Sequence, residues 1–479
     1  MRPGRAKAWA VLLAVVGGSL ATSACTDETI VFRDRELFEE PLAAAAGFVG
    51  YTDASTKLTV CGNCHVGPQS QWVASGHADA WAGLQDSGHA QAFCEGCHTV
   101  NELGNVATGA AGYNATSEER YHDVQCESCH GPGLDHVTAP ADANIPLAPV
   151  DVSVDGTLGC GECHQGSHHP FAEEWAQSRH GDMYEGAQGR EACQSCHTGA
   201  GALKAFGVND PYIEDDSDAT GNHLSITCAV CHDPHGSDFD AQLRFSISVP
   251  NEDQNLCMKC HHKRGVPDPT SSRGPHSPQG PLLVGEAGWW PPNLDLGPGD
   301  IVATHGSTAN PGLCAGCHVN SYDVTDAATG EFVVTATGHR FLATPCVDAN
   351  GAPTADQDCT DTEKNYQGCA VSGCHGSAQG ARSAMIAATL RLQNLADQLN
   401  ALVAQVPASE FNTSDGKFTT GEGAKFNAGF AEFNGTAAHN PFLAEALMIA
   451  SIRQVQTEYG LSLQGVSLER QLVPGGALR

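Results

Sequence analysis

The chain has 479 residues, enough for several conventional domains, yet only 6% are aromatic while 54 are Gly, 25 are Pro and 21 are Cys. So few bulky apolar side chains cannot fill several large cores, and a bound cofactor is expected to supply part of the interior. With 24 Lys+Arg against 55 Asp+Glu, a formal net charge of −31, the surface opposes a nucleic-acid backbone or an anionic lipid face.

Residues 1–24 read as a signal peptide: Arg2, Arg5 and Lys7, an apolar stretch over 8–20 too short to span a bilayer, then Ala21-Thr22-Ser23-Ala24. Cys25 then follows as the expected lipid attachment point of an exported lipoprotein, or else as a stray leader thiol. That places the protein in the periplasm or at the outer membrane or cell surface of a Gram-negative bacterium, touching membrane only through Cys25. Residues 25–60 read as an acidic tether with one short helix over 35–46.

From residue 61 onward the cysteines come in pairs. Eight CxxC pairs occur and His follows each one. They are Cys61/Cys64/His65, Cys94/Cys97/His98, Cys126/Cys129/His130, Cys160/Cys163/His164, Cys193/Cys196/His197, Cys228/Cys231/His232, Cys257/Cys260/His261 and Cys314/Cys317/His318, numbered here as sites 1 to 8. CxxCH is the attachment signature of haem c: two thioethers hold the porphyrin and the adjacent His ligates its iron. A zinc ribbon needs no His after every pair. A ninth site, Cys369-Ala-Val-Ser-Gly-Cys374-His375, has a longer linker; it reads as a further haem c site, with a disulfide or free thiols as the alternative. About nine covalent haems are therefore expected, using 18 of 21 cysteines. Cys346 and Cys359 remain, and read as a disulfide.

Sites 1 to 6 begin 32 to 35 residues apart and include a duplication: Cys61, Cys94 and Cys126 recur as Cys160, Cys193 and Cys228. Each copy carries a W-x-x-S-x-H element, Trp72/Ser75/His77 and Trp175/Ser178/His180, and a Thr after its second site, Thr99 and Thr198. The expected organisation is a three-haem module over 61–155, its duplicate over 156–250, a three-haem region over 251–379 and a haem-free helical cap over 380–479. Fourteen histidines lie outside the motifs and only five residues are Met, so mostly bis-His, low-potential haems are expected. The duplication nominates His77, His122, His136, His180, His223 and His235 as second ligands for the first six sites. His305, His339 and His439 are chosen for the last three, with His276 and His89 as substitutes.

The remainder is read coarsely. Asp210 to Asp218 is a solvated acidic loop, with Ca²⁺ binding as the alternative. Residues 264–300 form an irregular Pro/Gly-rich loop whose Trp289 and Trp290 are expected to cover a haem edge, with a partner surface as the alternative. Helical periodicity runs over 381–405, and Pro441 and Gly460 bracket a second helix. The fold class is mainly α with extensive coil, almost no sheet, haems forming the core and haem-free helices at the C-terminus.

The segment Val124-Gln-Cys126-Glu-Ser-Cys129-His130-Gly-Pro-Gly-Leu-Asp-His136-Val resembles multihaem cytochromes related to the tetrahaem cytochrome of ammonia oxidisers. Cys228-Ala-Val-Cys231-His232-Asp-Pro-His235-Gly with Leu256-Cys257-Met-Lys-Cys260-His261 resembles the doubled haem motif of electron-conduit cytochromes in metal-reducing bacteria. The segment from Phe426 to Pro441 is similar to the C-terminal helical part of larger multihaem proteins. The resemblance implies closely stacked haems passing electrons along a chain, with His136 ligating a neighbouring haem. Three functions follow as expectations. The first is an electron conduit to redox partner proteins or extracellular acceptors. The second is a reductase or oxidase of small nitrogen or sulfur species with one open haem. The third is a subunit of a homo-oligomeric filament. Enzyme or carrier is left open; the carrier is favoured, and no catalytic residue is nominated.

Overall fold

The structure, a computed structural model, describes residues 44–149, 152, 158–208, 223–370, 374–433 and 435–462. Cys25, the acidic loop at 210–218 and most of the expected helix at 35–46 lie outside these; residues 44–46 are not helical. Short helices, turns and coil dominate. Among the described residues, sheet is confined to two antiparallel hairpins, β1 (Tyr51–Asp53) with β2 (Leu58–Thr59) and β3 (Tyr322–Thr325) with β4 (Phe332–Ala336). No described helix is long and apolar enough to cross a membrane.

The motifs themselves fold as single helical turns, such as Cys126–His130 and Cys228–Cys231. One turn sets positions i, i+3 and i+4 on one face. CxxCH therefore aims two thiols and an imidazole in the same direction.

The duplication is visible in hydrogen bonds. Helix α1 (Val66–Trp72) ends on Trp72, whose indole donates to Val124 O at 2.8 Å; helix α2 (Phe171–Ala176) carries Trp175, whose indole donates to Ile226 O at 2.8 Å. Both acceptors lie two residues before the third site of their copy. His77 O accepts from Val124 N, and His180 O from Ile226 N, both at 3.1 Å. Each W-x-x-S-x-H element is thus strapped to the approach to a motif, which fixes where its histidine stands.

Among the described residues a large apolar core forms only at the C-terminus. Helices α3 (Ala378–Val403), α4 (Thr420–Ala428) and α5 (Pro441–Tyr459), with the turn after α4, bury Leu392, Leu395, Leu399, Leu402, Phe430, Leu443, Leu447 and Ile452. Their ends follow capping chemistry: Ser377 accepts from Gly380 N, Thr419 and Glu422 form a capping box, and Pro441 opens α5 behind the Asn440 cap. The remaining apolar clusters hold three or four buried residues each. The Trp289–Trp290 pair packs against the helical core. Trp289 N donates to Asn427 Oδ1 at 2.9 Å and Asn427 Nδ2 donates to Trp289 O at 2.7 Å, so the α4 side chain closes a peptide-like ring on the loop. Cys346 and Cys359 form a disulfide.

Candidate haem-attachment sites

Eight of the nine motif histidines face a second histidine across a constant gap. The ring centres are 6.4 Å apart for His65 and His136, 6.3 Å for His130 and His235, 6.1 Å for His164 and His77, and 6.1 Å for His197 and His276. They are 6.3 Å apart for His232 and His339, 6.2 Å for His261 and His180, 6.2 Å for His318 and His439, and 6.0 Å for His375 and His305. The ninth, His98, interacts electrostatically with His169. These separations are too long for stacking contact and too short to admit another side chain. Metal–nitrogen bonds of about 2 Å on either side of one ion, with each ring centre about 1.1 Å behind its nitrogen, give roughly 6 Å.

The imidazoles are prepared as ligands. Nδ1 of His98 meets Ala80 O at 2.8 Å, that of His130 Pro146 O at 2.8 Å, that of His318 Phe341 O at 2.8 Å and that of His305 Ala438 O at 2.6 Å. An Nδ1–H committed to a carbonyl leaves Nε2 as the lone-pair nitrogen and fixes the ring plane. The acceptor for His232, Ala241 O at 2.6 Å, sits on a residue with φ 54°, and Phe341 has φ 56°. Left-handed backbone at non-Gly residues is costly, and here it turns a carbonyl toward a motif histidine. Burial pushes His164, His180 and His439 down to about 4, keeping them neutral at physiological pH as metal ligation requires.

The surroundings fit a flat apolar cofactor. Cys129 lies deep in the protein, where burial pushes its thiol up to about 12, yet its surface is exposed. The two descriptions agree if the thiol borders an internal cleft, and we read it so. Phe93, beside Cys94, is 83% exposed, and Tyr184, with its ring 5.8 Å from His197, is 63% exposed. Apolar surface of that extent beside the motifs is what a porphyrin face covers.

The two cysteines of site 1 differ in exposure. Cys64, nominated with Cys61 for the first haem, is exposed, and so is His65 beside it. The physical reason is local. The motif turn stops at Asn63, Cys64 serves as its C-cap with its N–H donating to Cys61 O at 3.1 Å, and the chain turns away at His65 to begin α1. The second attachment position of this site therefore stands at the surface, while Cys61, on the inner side of the turn, meets Cys126. Cys374 of site 9 is exposed as well.

Of the nine histidines nominated as second ligands, His77, His136, His180, His235, His305, His339 and His439 face a motif histidine. His122 and His223 do not. The His122 ring lies flat on Trp81, 3.9 Å away and inclined 10°, because its backbone bridges to Thr99 behind site 2. His223 Nε2 is 3.3 Å from Gln194 Nε2, which occupies the nitrogen that would bind iron. His169 and His276 stand in their places. His276 is one of the two substitutes named above; His169, one of an adjacent pair with no local spacing to single it out, escapes sequence reasoning.

Thiols of different motifs also meet. Cys61 and Cys126 share a side-chain hydrogen bond, as do Cys97 and Cys163, Cys160 and Cys228, Cys196 and Cys260, and Cys257 and Cys314. Cys129 interacts with Cys160, Cys231 with Cys257, and Cys317 with both Cys369 and Cys374. Site 1 thus adjoins 3, site 3 adjoins 4, site 4 adjoins 6, site 6 adjoins 7, site 7 adjoins 8 and site 8 adjoins 9. Sites 2 and 5 hang beside 4 and 7.

Eight CxxCH motifs, paired imidazoles and a mainly helical, coil-rich fold define a class, and the chain is a multihaem c-type cytochrome. The doubled CXXCH motif family matches residues 223–265. The multiheme cytochrome MtrA of Shewanella baltica is 28% identical over 199 residues, covering 36% of this chain and 53% of MtrA. The C-type polyheme cytochrome OmcB of Geobacter sulfurreducens is 25% identical over 295 residues, covering 54% of this chain and 35% of OmcB. The chain therefore spans about half of one relative and about a third of the other. The crystal structure of the outer cell wall cytochrome OcwA aligns over 76% of both chains at a TM-score of 0.47 and 18% identity.

Proposed function

We propose that the protein is an exported electron conduit carrying about nine haems c, each iron held by two histidines, that passes single electrons toward a terminal or extracellular acceptor. One observation carries this reading: eight of the nine motif histidines have a second histidine set against them at ring separations of 6.0 to 6.4 Å. A bis-His iron has no position left for substrate, so it exchanges electrons and does no chemistry on a bound molecule. Bound haem c supplies the redox-active iron; the chain's own residues set its ligands and spacing. The Nδ1 carbonyl partners hold the imidazoles rigid. The touching thiols bring attachment edges together, and electron tunnelling falls steeply with edge separation. The resulting route is a line through sites 1, 3, 4, 6, 7, 8 and 9, with sites 2 and 5 as spurs. Export and the Cys25 lipid anchor belong to the same proposal, resting on the leader pattern.

The test is low-temperature EPR of the oxidised holoprotein with haem quantified on the same sample. About nine haems per chain and only low-spin signals are expected. A high-spin signal near one haem per chain would overturn the conduit reading in favour of a reductase.

A further inference from the structure

The two spur sites arise from one duplication but stand in opposite fields. Around site 2, His122 interacts with Glu119, Asp123 and Glu95. Around site 5, whose motif helix starts at Glu191, cations gather: Lys263 beside Cys196, and Arg264 and Arg273 beside His276, whose ring faces His197. The loop over 259–276 carries Lys259, Lys263, Arg264 and Arg273 against a single carboxylate, Asp268, which is turned back on Thr270. The bond from Arg264 Nε to Gly274 O at 3.0 Å closes this loop on itself. Lys263 and Arg273 are exposed, and none of Lys263, Arg264 and Arg273 forms an ion pair among the described residues. In a chain of net charge −31, three unpaired cations at one spur are a local reversal of sign.

We propose that site 5 is the port at which the protein exchanges electrons with small polyanionic redox species, held by Lys263, Arg264 and Arg273. The proposal rests on the conduit reading, since it needs a haem at site 5 connected to the line through site 7. At the port one electron passes between the reduced protein and the anion; no bond forms or breaks and no proton moves. A spur suits this role, because it reaches an outside species without interrupting the line. The cations suit it because a local field of the right sign raises encounter rates against the repulsion of the whole molecule.

The probe is ferricyanide, which takes one electron and becomes ferrocyanide, mixed with dithionite-reduced holoprotein in a stopped-flow instrument at rising salt. A port of this kind makes oxidation about tenfold slower between about 10 mM and about 200 mM salt, because screening removes the local attraction. A surface that behaves as its net charge instead gives a rate that rises with salt, and that result overturns the proposal. Binding is read separately by calorimetric titration of the oxidised holoprotein with hexacyanocobaltate(III), a redox-inert anion of the same shape. Binding that weakens at least about tenfold in Lys263→Glu/Arg273→Glu supports the port. No binding to the wild type means that the cations only neutralise haem carboxylates, and ends the idea. Arg264 is left in place in that variant because it braces the loop, and the wild-type salt slope needs no variant. Haem content and EPR of the same samples report on the conduit reading, so its failure is distinguishable from loss of the port.

Discussion

Glu174 is where stability and ligand geometry meet in one side chain. It lies in α2 beside Trp175, is 4% exposed, and accepts three hydrogen bonds from a distant segment: Thr337 N at 2.9 Å, Thr337 Oγ1 at 2.7 Å and His339 N at 2.7 Å. His339 faces His232 of site 6, and its Nδ1 is steadied by Thr337 Oγ1 at 3.1 Å. Glu174→Ala strands two buried backbone N–H groups and one hydroxyl, a loss of about 3–5 kcal/mol. For a chain of this size that is a fall in Tm of roughly 3–5 °C. The same change frees the segment that presents His339, so a high-spin fraction assigned to site 6 should appear in the EPR spectrum. Glu174→Gln keeps one acceptor oxygen but sets an amide N–H against a donor, and should fall between wild type and alanine in both readouts. Thr337→Val should cost only about 1 kcal/mol. A purely structural role would lower Tm and leave the spectrum low-spin. A Tm moved by less than about 1 °C with a wholly low-spin spectrum would refute the reasoning altogether.

His169→Ala and His276→Ala should each convert about one haem per chain to high spin, whereas His122→Ala and His223→Ala should leave EPR low-spin, since those rings are engaged by Trp81 and Gln194. Cys369→Ser/Cys374→Ser should lower the haem count by one in a pyridine haemochrome assay, and an unchanged count would remove site 9 from the set. Glu127 lies between the thiols of site 3, 2% exposed, and burial pushes its carboxyl up to about 7 against the pull of N–H bonds from Gly50, Gly133 and Val49. Its folded state holds the proton longer than the unfolded chain does, so this contribution to stability is present below about pH 4.5 and lost as pH rises through about 7, up to about 3 kcal/mol. Wild type should therefore lose Tm relative to Glu127→Gln between about pH 5 and about pH 8, and parallel melting curves across that range would show that the carboxylate is already ionised.

The covalent sites are legible in the sequence because CxxCH is local: one helical turn carries thiols and imidazole, and nothing distant is needed to recognise it. How far each thiol is enclosed is not local, which is why the exposure of Cys64 at the end of its turn goes unseen. The C-terminal helices are legible for the first reason. The expected limits, 381–405 and 441–460, compare with Ala378–Val403 and Pro441–Tyr459, since periodicity and caps act over a few residues. Second ligands depend on chain path, which spacing does not encode. His122 and His223 recur at matching places in the two copies, and recurrence makes them look like ligands. Their shared place serves a structural contact beside sites 2 and 5. His169 and His276 are hidden because the histidines they face lie 71 and 79 residues upstream. A signal does exist: each follows the first motif beyond the copy that holds its partner.

The facing pairs also say what a repeat means in this chain. His77 lies in the first copy and faces site 4 in the second, while His180 in the second faces site 7 beyond it. His235 in the second copy faces site 3 in the first, and His276 and His339 face sites 5 and 6 from further along. The C-terminal helical part likewise sets His439 against His318. If the facing histidines are the iron ligands, each copy depends on the next to complete its sites, and the sequence repeat is not a folding unit. The small apolar clusters between sites 1 and 6 then make sense. A segment whose interior is a cofactor shared with its neighbour needs little core of its own, and its stability is inseparable from the continuity of the line of haems.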